Sequence, residues 1–444
     1  MTHQEPARVS PDTAYVLERA WVDGEFRDEV LVEVLSGRFS RVETGGVSAV
    51  PATRLAGLTV PGLANVHSHV PHRALRGLQH GDRQAWRWRL DQVVERLDPD
   101  SMFELARATY REMAAAGFTT VGEFHDLHHQ AGGTPYEDPN LMGVVLAEAA
   151  ADAGIRLTLL DACRLGTGDE ELPAQALRST DADPERWALR VGALEKTLAG
   201  SEHARVGAAL PTVRAMPRDQ LPVFARAAED RALQVHLCAT QDEDTECRAR
   251  YGVSAARLLA DAGLLGPRTA AVHATHLDDW DVALLGSTGT RVALCPTTDR
   301  DLGHGVGPAR RLHEAGARLT LGSGSHAVID PFEEMRAAEL HARLVSRRRG
   351  HWSAAELLTA ATREGHDALG WPDAGQIAVG RRADLVTLTA RSVRTAGTGG
   401  DEQTVVFAAT AADVTHVVVD GWVLAREAEH VGADLDAVVA RLLR

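Results

Sequence analysis

The sequence predicts an α/β protein: a (β/α)8 TIM-type barrel with a small β-sandwich built from both chain ends. Three observations predict it. Through the middle of the chain, short apolar runs alternate with helix-like stretches eight times, which implies a parallel sheet covered by helices. Both ends instead carry short runs closed by Asp-Gly or Ser-Gly turns. Polar, metal-capable side chains follow the apolar runs, where a barrel of this kind gathers its chemistry. The expected division is 1–60 plus 376–444 for the sandwich and 61–375 for the barrel.

The N-terminal elements are apolar runs at 15–17 and 20–22 before Asp23-Gly24, then 30–35 before Ser36-Gly37. These are hairpin signals. The C-terminal end has the same pattern, with runs at 383–388 after Gly380, then 405–407 and 417–419, leading into Asp420-Gly421. Residues 431–444 predict a short terminal helix. The eight barrel runs are 58–66, 118–124, 155–160, 205–210, 233–237, 270–273, 291–295 and 318–322. Helices are expected between them, among others over 102–116, 139–153, 220–232, 255–262 and 309–315. A doubly wound open sheet is the alternative, but no G-x-G-x-x-G follows any run.

Composition narrows the function classes. The 444 residues are 44% hydrophobic and 25% charged, as in ordinary globular proteins. A net charge of −15 with no basic patch argues against nucleic-acid binding. Cys163, Cys238, Cys247 and Cys295 are scattered and read as reduced thiols of a cytoplasmic protein. No signal-peptide pattern opens the chain and no apolar stretch is long enough to span a membrane. The expected partner is a small molecule.

The first barrel run ends in His67 and His69, which share one side of a strand. Two converging imidazoles suit a transition metal such as zinc. Glu123, His125 and Asp126 end the second run, and Arg214 follows the fourth. The fifth carries His236, and the sixth His273 and His276. Thr297, Thr298 and Asp299 follow the seventh; Ser323, Ser325 and His326 follow the eighth. Histidines ending the first, fifth and sixth runs together are hard to explain as packing, so a metal site is expected.

With the Gly380–Leu385 stretch and the split sandwich, these histidines make the chain resemble the amidohydrolase superfamily. Within it, the chain is most similar to the formimidoylglutamate deiminases. The further carriers are Arg73, Trp86-Arg87-Trp88-Arg89, Glu123-Phe124-His125 with His128-His129, Arg214, Val272–His276, Leu302-Gly303 and Gly322–His326. The resemblance implies one divalent metal, zinc above others, on His67, His69, His236 and an eighth-strand aspartate. That last position is Gly324 here. The family's proton-shuttling glutamate, three residues after His236, is Ala239. The resemblance further implies substrate contacts at Arg89 and Arg214, with His72 in place of a glutamine. It also implies a homodimer. His273 is retained, Asp126 stands for a tyrosine and Pro211 for a histidine.

Neither Gly324 nor Ala239 can carry a proton, and one general acid–base group is worth about 10²–10⁴-fold. His273 is the retained catalytic group, with Asp126 and His326 expected beside it; Asp126, Asp299, Asp301 or His326 is the expected replacement for the two acids. Two readings follow. One is a metal-dependent hydrolase of a C–N bond in a small amino-acid-derived carboxylate, with ordinary deiminase activity curtailed. The other is a non-hydrolytic descendant that binds or transforms a small carboxylate.

Overall fold

In the computed structural model, residues 12–78, 81, 83–165, 174–427 and 429–430 are described. The eight runs become eight parallel strands in one sheet. In chain order they are Leu63–Ser68, Phe118–His125, Arg156–Ala162, Ala204–Leu210, Leu233–Leu237, Thr269–His273, Arg291–Leu294 and Arg318–Leu321. Each pairs with the next. The ring shuts through Gly324, whose N–H donates to the His67 carbonyl at 2.9 Å and whose carbonyl accepts from the His69 N–H at 3.3 Å. Val66, Phe124, Leu160, Val272 and Trp371 fill the interior, so the barrel is a packed core. Helices cover the outside. The helix Pro99–Ala116 starts at a capping box between Asp98 and Ser101.

The run expected over 58–66 divides in two. Ala52–Pro61 belongs to the end sheet and the barrel strand begins at Leu63. Gly62 makes the passage, because a Cβ there would lie 2.3 Å from Thr119 Oγ1.

Both chain ends meet in one eight-stranded sheet. Thr13–Val22, Glu25–Leu35, Arg38–Thr44 and Ala52–Pro61 come from the N-terminal side. Leu385–Leu388, Val414–Val419, Trp422–Arg426 and Glu429–His430 come from the other. The halves join where Ala52–Pro61 pairs antiparallel with Leu385–Leu388. The Asp-Gly and Ser-Gly turns all take positive φ at both positions, as tight hairpins require.

Residues 405–407, expected with the strands, are helical within Glu402–Phe407. Asp401 accepts from the Gln403 and Thr404 N–H groups, and that cap overrides the β preference of Val405 and Val406. The helix expected over 220–232 is shorter, Leu221–Ala227. The terminal helix expected over 431–444 lies outside the described residues. Among the described residues no helix is long and apolar enough to cross a membrane.

Candidate metal centre and its cavity

Parallel strands that all run the same way deliver their last residues to one rim. There His67, His69, His236 and His273 line a single cavity of about 590 Å³. The Nε2 atoms of His69 and His236 each lie 3.1 Å from His67 Nε2. The three imidazoles are one of three groups of donor atoms close enough to hold a metal ion among the described residues.

The outer ring nitrogens settle the tautomers of two of them. The Gln234 Nε2 donates to the Val66 carbonyl at 2.5 Å, leaving its Oε1 to accept from His67 Nδ1–H at 2.9 Å. His236 Nδ1–H donates to the Pro211 carbonyl at 3.1 Å. Both Nε2 atoms therefore present lone pairs to each other, and no hydrogen bond can join them. Burial, with the neighbouring imidazoles, pushes His67 down to about 3 and His236 and His69 well below the usual histidine range. Protonation is thus disfavoured, and the facing lone pairs suit a shared cation. Nδ1 atoms tied to amide or carbonyl oxygens are the outer hydrogen bonds that orient metal-binding histidines. The residues present fit a divalent ion.

His273 faces this group, with ring centroids 5.7 Å from His236 and 6.1 Å from His67. Its Nδ1–H donates to Asp299 Oδ1 at 2.8 Å, and His304 Nδ1 lies 3.0 Å from the same oxygen. Burial raises the Asp299 carboxyl, but the two imidazoles outweigh it and hold it at about 2.

Ala239 and Gly324 also line the cavity, which has no carboxylate at those two points. The space beside Gly324 is taken. A Cβ there would lie 2.5 Å from Thr298 Oγ1, which bonds the Ser323 carbonyl and the Ser325 N–H.

The other expected residues divide. Asp126, Arg214 and His72 line the cavity. Arg214 is paired with Glu246 at 2.6 Å. His72 stacks on His69 with centroids 4.5 Å apart, and its buried Nδ1 has no partner among the described residues. His326 sits outside the cavity lining: Nε2 lies 3.1 Å from Ser68 Oγ and Nδ1 3.0 Å from Ser323 Oγ. It is a brace behind the first strand, because its φ of +58° turns the side chain inward. Glu123 joins that brace through Ser68 and the Val70 N–H, and burial pushes it up to about 8.

Arg89 does not line the cavity either. It bonds the Leu78 carbonyl, while Arg87, two positions earlier on the helix Arg83–Arg96, faces inward. Two residues on a helix are about 200° apart, so only one of the pair can point at the site. Arg164 lines the cavity as well. It follows the third barrel strand, and the rule that strand-end polar residues face the site would have found it.

Known proteins place this geometry. The crystal structure of an amidohydrolase from Brucella melitensis superposes with a TM-score of 0.90 at 28% identity, covering 97% of this chain and 100% of that one. An adenosine deaminase from Xanthomonas campestris, solved with bound zinc, superposes with a TM-score of 0.84 at 23% identity, covering 97% of each chain. Formimidoylglutamate deiminase from Pseudomonas aeruginosa is 33% identical over 403 residues, 87% of this chain and 88% of that protein. The model of the amidohydrolase family matches residues 58–424, and the chain belongs to that family.

Proposed function

We propose that this protein is a metal-dependent hydrolase of a C–N bond in a small amino-acid-derived carboxylate, with weak activity on N-formimidoyl-L-glutamate. The observation that carries the reading is the pair of facing Nε2 lone pairs on His67 and His236, which one shared cation would satisfy together. His67, His69 and His236 would hold a zinc ion, which would supply Lewis-acid activation of water at neutral pH. Arg87, Arg164 and Arg214 give the cavity three guanidinium groups, suited to carboxylates through forked contacts. His72 offers its unpartnered Nδ1 to a polar substrate atom. Proton transfer falls to Asp126 and His273, the latter oriented by Asp299. Without carboxylates at 239 and 324, that transfer is made from other directions, and the rate suffers.

The test is ammonia release from N-formimidoyl-L-glutamate by the zinc-loaded protein. The expected rate is well below the enzyme median of about 10 s⁻¹; a rate near it overturns the claim of weak activity. Thr298 filling the space beside Gly324 favours a second reading, in which the pocket binds a carboxylate without hydrolysing it. Calorimetric binding of glutamate with no turnover of any amide or amidine analogue would select that reading.

A further inference from the structure

The cavity holds a second group of metal-capable donors, from which the proposed reaction takes His273 for proton transfer and Asp299 to orient it. His273 ends the sixth barrel strand, Asp299 lies in the short helix Pro296–Asp301, and His304 follows that helix. Their side chains are 8, 11 and 9% exposed, and His273 and His304 line the cavity. One oxygen, Asp299 Oδ1, meets His273 Nδ1 at 2.8 Å and His304 Nδ1 at 3.0 Å. All three donor atoms lie within 4.8 Å of one another. Ligands around a zinc with bonds of about 2.0–2.1 Å stand roughly 3.3 Å apart, so these spacings need open only slightly.

Charge favours a cation here too. Among the described ion pairs, Asp299 meets only these two histidines and no arginine. A divalent ion among the three would give this buried carboxylate a full positive partner. Two histidines and one carboxylate, open on one side to a cavity, are a three-ligand zinc set. The three-histidine group has no anionic donor, so this second group is the better matched in charge to a divalent ion.

We propose that the Nδ1 atoms of His273 and His304 and the Asp299 carboxylate form a second divalent-metal site beside the three-histidine one. Binding there requires each Nδ1 proton to move to the opposite ring nitrogen of its own imidazole, and Asp299 then meets the ion in place of the two ring donors. Only the first ion rests on the reading given under Proposed function.

The experiment strips the full-length protein with a chelator, re-equilibrates it with zinc and counts zinc per chain by mass spectrometry. Two are expected, falling to one in His304→Ala and again to one in His236→Ala. His304→Gln keeps the side-chain bulk and thermal melts confirm folding, so a lost ion is not a lost fold. One zinc that survives both His304 variants and disappears in His236→Ala overturns this inference alone. One zinc lost in the His304 variants and kept in His236→Ala supports it and overturns the three-histidine reading. No bound zinc overturns both.

Discussion

At the scale of single residues, Thr298 decides what position 324 can be. Its hydroxyl is committed to the Ser323 carbonyl and the Ser325 N–H, each at 3.0 Å, and stands where a Cβ would go. Asp tolerates the φ of +49° better than most residues, so the clash is the main cost of Gly324→Asp. That variant is expected to lose about 1–3 kcal/mol in urea unfolding, with Thr298→Ala recovering part of it. Strict additivity of the two changes would show that Thr298 is not the obstacle. In the Thr298→Ala background, Ala239→Glu with Gly324→Asp should raise ammonia release more than the product of the single effects, since acid and base act as a unit.

At the scale of elements, helical phase and capping override local appearance. The helix Arg83–Arg96 turns Arg87 to the cavity and Arg89 away. Arg87→Ala is expected to weaken binding of a dicarboxylate by roughly 2- to 5-fold, the scale of an exposed charge contact, while Arg89→Ala leaves it unchanged. Calorimetric titration of both variants checks this; equal effects would contradict the assignment. Asp401 holds Glu402–Phe407 helical through two N–H groups. Asp401→Ala should cost about 1 kcal/mol in thermal unfolding and leave zinc content alone.

Across the whole molecule, one buried cation ties the two sheets together. Arg156, on the third barrel strand and fully buried, pairs with Asp384 and with Asp420 at the base of the end sheet. Arg156→Ala leaves two carboxylates without it and should cost about 3–5 kcal/mol in urea unfolding.

Buried groups shape the pH profile through two opposed and overlapping windows. Burial pushes Glu123 and Glu334 up to about 8, against hydrogen bonds that lower them. Unfolded, they ionise near 4.5, so the folded state holds more protons from there to about 8. Stability therefore falls as pH rises through that window. His366 is held near 3 by burial, against 6.5 when unfolded. The unfolded chain takes up that proton first, so stability also falls as pH drops from 6.5 toward 3. The windows overlap from 4.5 to 6.5, where two glutamates outweigh one histidine, so these three groups place the maximum of the unfolding free energy near pH 4.5. Glu334→Gln should flatten the alkaline limb; an unchanged limb would mean that Glu334 ionises normally in the folded protein.

The sequence by itself determined the parallel strands, the hairpin ends and the common rim of His67, His236 and His273. Those follow from local periodicity and turn chemistry, which act over a few residues. It also put Ala239 and Gly324 at the two positions where the resemblance implies acids, because spacing from His236 and within Gly322–His326 is a local property. Only the tertiary structure decided the rest. Whether Arg87 or Arg89 faces the site depends on how one helix is rotated against the barrel. His326 lies behind the first strand because its backbone turns it there. His304 meets Asp299, and Thr298 meets Gly324, through packing between loops that no period in the chain records.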